Sequence, residues 1–193
     1  MRRAYNFLYC VLWFIAGILY PTRCTGRENV PEGACILCAT HSHAMDPLFV
    51  AVGLTRKVFL HFMCKIELMT VPIAGYWIRK IGSFGVDRSG NDIEGIRTAM
   101  RYLRKGEKLL VFPEGTRVSS DEAAEAKTGA VRLASRLQVP LVPVYIPREK
   151  KLFRKLHVRV GQPYYVEAGL EDYAQASEEL MERILSLRPE AQQ

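Results

Sequence analysis

The sequence predicts a single α/β domain with a largely parallel or mixed sheet flanked by helices, preceded by an apolar, membrane-associated helix. Three observations carry this expectation. From residue 33 onward, short β-branched or apolar runs alternate with helical patterns, the order that builds strand–helix–strand units. The chain has 193 residues, of which 49% are hydrophobic and 24% charged, the size and composition of one packed domain. Residues 7–20 are almost unbroken apolar sequence, with Arg2 and Arg3 before them and Pro21 and Arg23 after.

That first segment is the compositional outlier. A cleaved signal peptide shares its basic start and apolar run, but Tyr20-Pro-Thr-Arg-Cys24 offers no small-residue cleavage site. As a helix, residues 7–20 extend ~21 Å at 1.5 Å per residue, short of the ~30 Å hydrocarbon core. Arg2 and Arg3 on one side and Arg23 and Arg27 on the other set no topological bias. The expectation is therefore residues 1–22 as an anchor in one leaflet, with Tyr5, Tyr9, Trp13 and Tyr20 near the interface. The rival reading packs the helix on the domain's own core.

Strands are expected at 34–39, 58–63, 83–86, 108–112, 141–146 and 156–160. Between the third and fourth, Ile93, Ile96, Met100 and Leu103 recur at helical spacing, with Asn91 or Asp92 as cap and Gly106 as stop. Ala130, Leu133, Ala134 and Leu137 predict a second helix; Leu170, Tyr173, Leu180, Ile184 and Leu187 predict a C-terminal one. The five cysteines are odd in number and irregularly spaced, which suits a reducing, cytosol-facing location rather than a disulfide framework. Cys35 and Cys38 form a C-x-x-C, yet in a strand residues three apart point to opposite faces, so two small core side chains are expected rather than a redox pair or half a zinc site.

Ligands of open α/β sheets gather at the strand ends, and three polar clusters fall there. The first is Thr40-His-Ser-His-Ala-Met-Asp-Pro47. Proline suits the first helical turn and aspartate its cap, so His41 stands at a strand-to-helix turn within reach of the Asp46 carboxylate. A carboxylate on one imidazole nitrogen fixes the tautomer and leaves the other nitrogen to take a proton. No G-x-S-x-G elbow accompanies Ser42, and a base without its own nucleophile suits direct attack by a substrate hydroxyl. Two other readings stay open: Asp46 as a helix cap beside a loop histidine, and metal binding by His41, His43 and Asp46. The second cluster is Gly85-Val-Asp-Arg88, whose Arg88 either holds phosphate or pairs with Asp87. In the third, Phe112-Pro-Glu-Gly-Thr-Arg117, Gly115 permits close backbone approach and Arg117 offers a planar fork for phosphate. No G-x-x-x-x-G-K-[ST] loop occurs, which sets nucleotide hydrolysis aside.

These residues resemble the 1-acyl-glycerol-3-phosphate acyltransferases, within the glycerolipid acyltransferase superfamily marked by an H-x-x-x-x-D block. The His41–Asp46 block, Gly85-Val-Asp-Arg88, Phe112-Pro-Glu-Gly-Thr-Arg117 and Val139-Pro-Leu-Val-Pro143 are similar to that family's four blocks in order. Lys65-x-Glu67-Leu68 and Lys127-x-Gly129-Ala130 are similar to accessory features, so the resemblance runs from about residue 27 to 165. It implies that residues 23–193 form an acyltransferase domain in which His41 deprotonates the sn-2 hydroxyl of a lysophosphatidate. That oxygen would attack an acyl thioester of coenzyme A or an acyl-carrier protein, without an acyl-enzyme, to give phosphatidate for phospholipid biosynthesis. Asp46 would orient His41, and Arg88 and Arg117 would hold the acceptor phosphate. Glu114, Gly115 and Thr116 would shape that pocket, and Lys65 is either a further phosphate or donor contact or a solvated lysine. Thr40 stands where the family often has Asn, His43 where a small polar residue is common, and Val118 where Ser is common; His43 leaves acceptor preference open. No metal or cofactor is implied.

The formal charge of +7 and pI near 9.3 favour anionic partners. Nucleic acid is not expected, since no binding motif and no basic stripe with interleaved aromatics occurs. The partners expected are lysophosphatidate, the acyl donor and the bilayer, at the cytoplasmic face of the cell membrane. The rival functions are acylation of another lysolipid headgroup and a non-catalytic basic lipid-binding module.

Overall fold

The computed structural model describes residues 2–87, 92–121 and 126–189. Seven strands among them form one sheet: β1 (Thr22–Thr25), β2 (Cys35–Ala39), β3 (Leu60–Lys65), β4 (Phe84–Val86), β5 (Lys108–Val111), β6 (Leu141–Tyr145) and β7 (Leu156–Val160). They lie in the order β1-β7-β6-β2-β5-β3-β4. Every neighbouring pair is parallel except β6 and β7, so the sheet is mixed, as expected. The helices are α1 (Arg2–Leu19), α2 (Asp46–Leu54), α3 (Pro72–Lys80), α4 (Ile93–Arg104), α5 (Gly129–Leu137) and α6 (Tyr173–Leu185).

β2 is central and buried along its whole length, because parallel strands are covered on both faces. Its alternation divides the core. Ile36 and Cys38 pack with Met100, Leu103, Ala130, Ala134 and Leu180 of α4, α5 and α6. Cys35, Leu37 and Ala39 pack with Phe49, Val50 and Leu54 of α2. Cys35 and Cys38 therefore face opposite layers as free thiols, and burial pushes both thiol pKa values up, that of Cys35 to about 12.

α4 begins where Asp92 accepts a hydrogen bond from the Gly95 amide at 2.8 Å, the capping that offsets an otherwise unpaired N–H. Asn91, the other expected cap, lies outside the described residues. The chain leaves α4 through Gly106 at φ 78°, a left-handed conformation that costs glycine little.

α1 packs on α2 and touches α3, where Phe7 stacks on Trp77 with ring centroids 5.9 Å apart. The Tyr5 hydroxyl donates to the Val58 carbonyl and Tyr9 to the Val52 carbonyl, each at 3.1 Å. Tyr5 is only 4% exposed and meets Phe59 edge-on; Tyr20 is half-buried against Phe49. Three of the four aromatics expected near a membrane interface are thus turned to the domain instead, because their hydroxyls or rings find partners there. Phe7, Val11, Trp13, Phe14 and Ile18 remain exposed. No helix among the described residues is long and apolar enough to cross a membrane.

Because β2, β5 and β6 run parallel as neighbours, their C-terminal ends lie side by side. The segments leaving them, residues 40–46, 112–118 and 146–150, converge at one edge of the sheet.

Candidate active site

The turn after β2 is built around one carboxylate. Asp46 is fully buried and its Oδ2 accepts from the Ser42 and His43 amides, each at 2.7 Å, and stands 3.0 Å from His41 Nδ1. Asp46 was expected to cap α2. Instead it opens that helix one residue before Pro47 and turns back on the preceding loop; Met45 occupies the cap position without a side-chain bond. Burial pushes the Asp46 carboxyl up, but hydrogen bonding from His41, the Lys150 charge and the His43 amide outweigh it and hold it below its ordinary value. A carboxylate can only accept, so His41 Nδ1 donates to it, the tautomer that in a neutral ring leaves the lone pair on Nε2. The His41 ring stacks on Phe112 with centroids 4.0 Å apart, and its backbone amide donates to Glu114 Oε2 at 3.2 Å.

Two residues that sequence reasoning did not single out complete this cluster, both on the segment after β6. Lys150 Nζ forms a buried ion pair with Asp46 Oδ1 at 2.9 Å and donates to Ser42 Oγ at 2.6 Å. Ser42 Oγ in turn donates to the Arg148 carbonyl at 3.0 Å. The Ser42 hydroxyl is therefore engaged away from His41, which argues against it as a nucleophile. Arg148 forks onto Glu114 at 2.7 and 3.4 Å and pairs with Asp121, while also donating to the Val118 carbonyl at 2.8 Å. Burial raises the Glu114 carboxyl even though Arg148 draws it down. Burial likewise lowers the Lys150 ammonium against the pull of Asp46. The available signal was position: Arg148 and Lys150 leave a strand end beside His41's own.

Glu114 was expected to shape a phosphate pocket. Its carboxylate is buried, accepts from Arg148 and the His41 amide, and so ties this turn to the His41 loop. Gly115 takes φ 70°, and a Cβ there would stand 2.8 Å from Lys127 Cδ and Cε, so the lysine stem lies directly over the glycine. Thr116 and Arg117 are exposed on the same turn, and Arg117 engages no acid among the described residues. Lys65 is exposed at the end of β3 and pairs with Glu67 at 2.7 Å. Arg88 lies outside the described residues. His43 accepts from the Met45 amide at 3.2 Å, and no group of three metal-ligating side chains occurs among the described residues. Beside Phe112 opens a cavity of about 460 Å³, walled by Met63, Val86, Met100, Val111 and Leu133, with Gly115 and Lys127 at its edge.

The fold and this cluster define an α/β enzyme, and comparison with known proteins gives its kind. The family model described as Acyltransferase matches residues 21–147, and the chain belongs to that family, as an O-acyltransferase. It is similar to the 1-acyl-sn-glycerol-3-phosphate acyltransferase of Bacillus subtilis, 31% identical over 167 residues, 83% of this chain and 82% of that one. The Streptococcus pneumoniae protein of the same name is 35% identical over 135 residues, 69% of this chain but 49% of its own length. The crystal structure of the 1-acyl-sn-glycerophosphate acyltransferase of Thermotoga maritima superposes with a TM-score of 0.64 at 21% identity, covering 99% of this chain and 100% of that one, and so shares the fold.

Proposed function

We propose that this enzyme transfers a fatty acyl group from an acyl thioester to the sn-2 hydroxyl of 1-acyl-glycerol-3-phosphate, giving phosphatidate. The observation that carries the reading is the His41–Asp46 pair, its carboxylate fixed by two backbone amides and Lys150 and its hydroxyl neighbour Ser42 turned away. His41 Nε2 takes the proton of the acceptor hydroxyl, the oxygen forms a bond to the thioester carbonyl carbon, and the C–S bond breaks as the tetrahedral adduct collapses. The proton on His41 passes to the departing thiolate. Asp46 keeps the ring in the productive tautomer and supports its transient positive charge. Arg117, exposed and without an acid partner among the described residues, supplies a fork for the acceptor phosphate, with Gly115 and Thr116 on its turn and Arg88 as a second cation for the same phosphate.

The names of the relatives support the acceptor, and the exposed apolar side of α1 supports a place at the membrane. In this reading residues 1–22 lie in one leaflet at the cytoplasmic face, with Trp13 and Phe14 outward while Tyr5 and Tyr9 tie the helix to the acyltransferase domain. Mass spectrometry of products from purified protein, lysophosphatidate, competing lysolipids and both palmitoyl-CoA and palmitoyl-acyl carrier protein tests the assignment. Phosphatidate as the main product is expected. Acylation of a different headgroup would replace the acceptor, and no acylated product with either donor would overturn the reading.

A further inference from the structure

On α4 and at its C-cap, Arg97, Arg101, Arg104 and Lys105 fall at the spacings that share one helix face. They border an open groove of about 730 Å³ whose far side is Arg136 of α5, with Ile96 exposed among the charges. Arg97 pairs with Glu94 at 2.9 Å. Arg104, Lys105 and Arg136 meet no acid among the described residues. So many like charges in one groove repel each other unless a partner neutralises them. The groove is also continuous with the active site. Ile96, Met100 and Arg136 line both it and the 460 Å³ cavity, and the cavity reaches Phe112, on which His41 stacks.

We propose that the groove between α4 and α5 docks an acidic helix of an acyl-carrier protein, whose thioester arm then enters the adjoining cavity toward His41. The proposal rests on the acyl-transfer reading above and names the carrier of its donor. The cations from Arg97 to Lys105 extend over ~12 Å of helix at 1.5 Å per residue, a row that matches carboxylates repeating every three or four residues on a partner helix. The exposed isoleucine between them suits the apolar positions of such a helix. Coenzyme A would gather its phosphates at one point, and among the described residues none of the side chains lining the groove is aromatic to stack on adenine. The groove lies on the α4–α6 side of the sheet, whereas α1, with its exposed apolar face, packs on α2 across the sheet. A carrier arriving from water thus meets a face turned from the proposed membrane side.

The test is charge reversal of Arg101→Glu, Arg104→Glu and Lys105→Glu together in the full chain, with palmitoyl-acyl carrier protein and palmitoyl-CoA as donors. Electrostatic docking acts mainly on association and its salt dependence. The variant should lose about tenfold or more in kcat/KM with the carrier protein, by that rule, and stay within about twofold of wild type with palmitoyl-CoA. Equal losses with both donors, or no loss with the carrier, overturn the proposal. Calorimetric titration with holo-acyl carrier protein reads docking without turnover: binding by the wild type and its loss in the variant support the proposal, and no binding or unchanged binding overturns it. If the variant instead stops sedimenting with anionic phospholipid vesicles while carrier use is unchanged, the groove faces lipid and the proposal fails. Absence of transfer from either donor by the wild type would overturn the acyl-transfer reading itself, with docking still decided by the titration.

Discussion

Two turns stand side by side at the sheet edge and are built in opposite ways. The turn after β2 is over-determined: His41, Ser42 and His43 all bond to one buried carboxylate, and Lys150 closes its other side. The turn after β5 is tied down at Glu114 and left open three residues later at the exposed Arg117. A group that moves a proton must already be in position when substrate arrives, because reorganising it then adds to the barrier. A group that grips a phosphate works best with its hydrogen-bonding capacity unspent. The contrast says which residues should fail in rate and which in affinity.

The largest expected effect beyond His41 itself falls on Asp46. Asp46→Asn keeps the size but places an amide where Lys150 and His41 Nδ1 need an acceptor, so kcat should fall by about 10²-fold or more with acceptor binding retained. Steady-state rates alongside a lysophosphatidate binding isotherm check this; a parallel loss of binding would make Asp46 a scaffold residue only. Next comes the ion pair behind the turn. Arg148→Ala leaves Glu114 and Asp121 without their buried partner and should cost about 3–5 kcal/mol of stability, read by urea unfolding. Retention of wild-type stability would show that the web is dispensable.

Arg117→Ala should raise the acceptor KM about tenfold, equivalent to ~1.4 kcal/mol for a charge-assisted contact, while kcat changes little. An equal fall in kcat at constant KM would move Arg117 from holding the ground-state phosphate to stabilising the transition state. The smallest effect concerns acid. A carboxyl whose pKa is lowered by folding adds stability that is present above its unfolded value and is lost as pH falls through the folded one. Asp46, held below its ordinary carboxylate value, should therefore contribute to a stability loss on acidification below about pH 4, and Asp46→Asn should flatten that limb of the unfolding curve.

What was legible in the sequence follows from what is local. The α4 pattern, its Asp92 cap and Gly106 stop, and the six apolar strands emerged within a few residues of their bounds because each is written by its own periodicity. β1 was missed because Thr-Arg-Cys-Thr carries no apolar run. As an edge strand paired only with β7, it needs none. α3 was also passed over: Pro72 at its first turn was a start signal, but a nine-residue helix with only Gly75 buried leaves a faint stripe. The His41–Asp46 pair was legible from a five-residue spacing. Arg148 and Lys150 were not, since they reach Asp46 and Glu114 only through the pairing of β6 with β2 across more than 30 residues of chain. The turning of Tyr5 and Tyr9 into the domain depended on carbonyls at Val58 and Val52, which no local pattern encodes.

The central claim is that His41 takes the proton of the attacking hydroxyl, and the transfer rate of purified His41→Ala tests it most directly. With folding verified by circular dichroism and acceptor binding intact, the account predicts a loss of roughly 10²–10⁴-fold, the contribution of a positioned general base. A folded His41→Ala enzyme that kept more than about a tenth of the wild-type rate would contradict it.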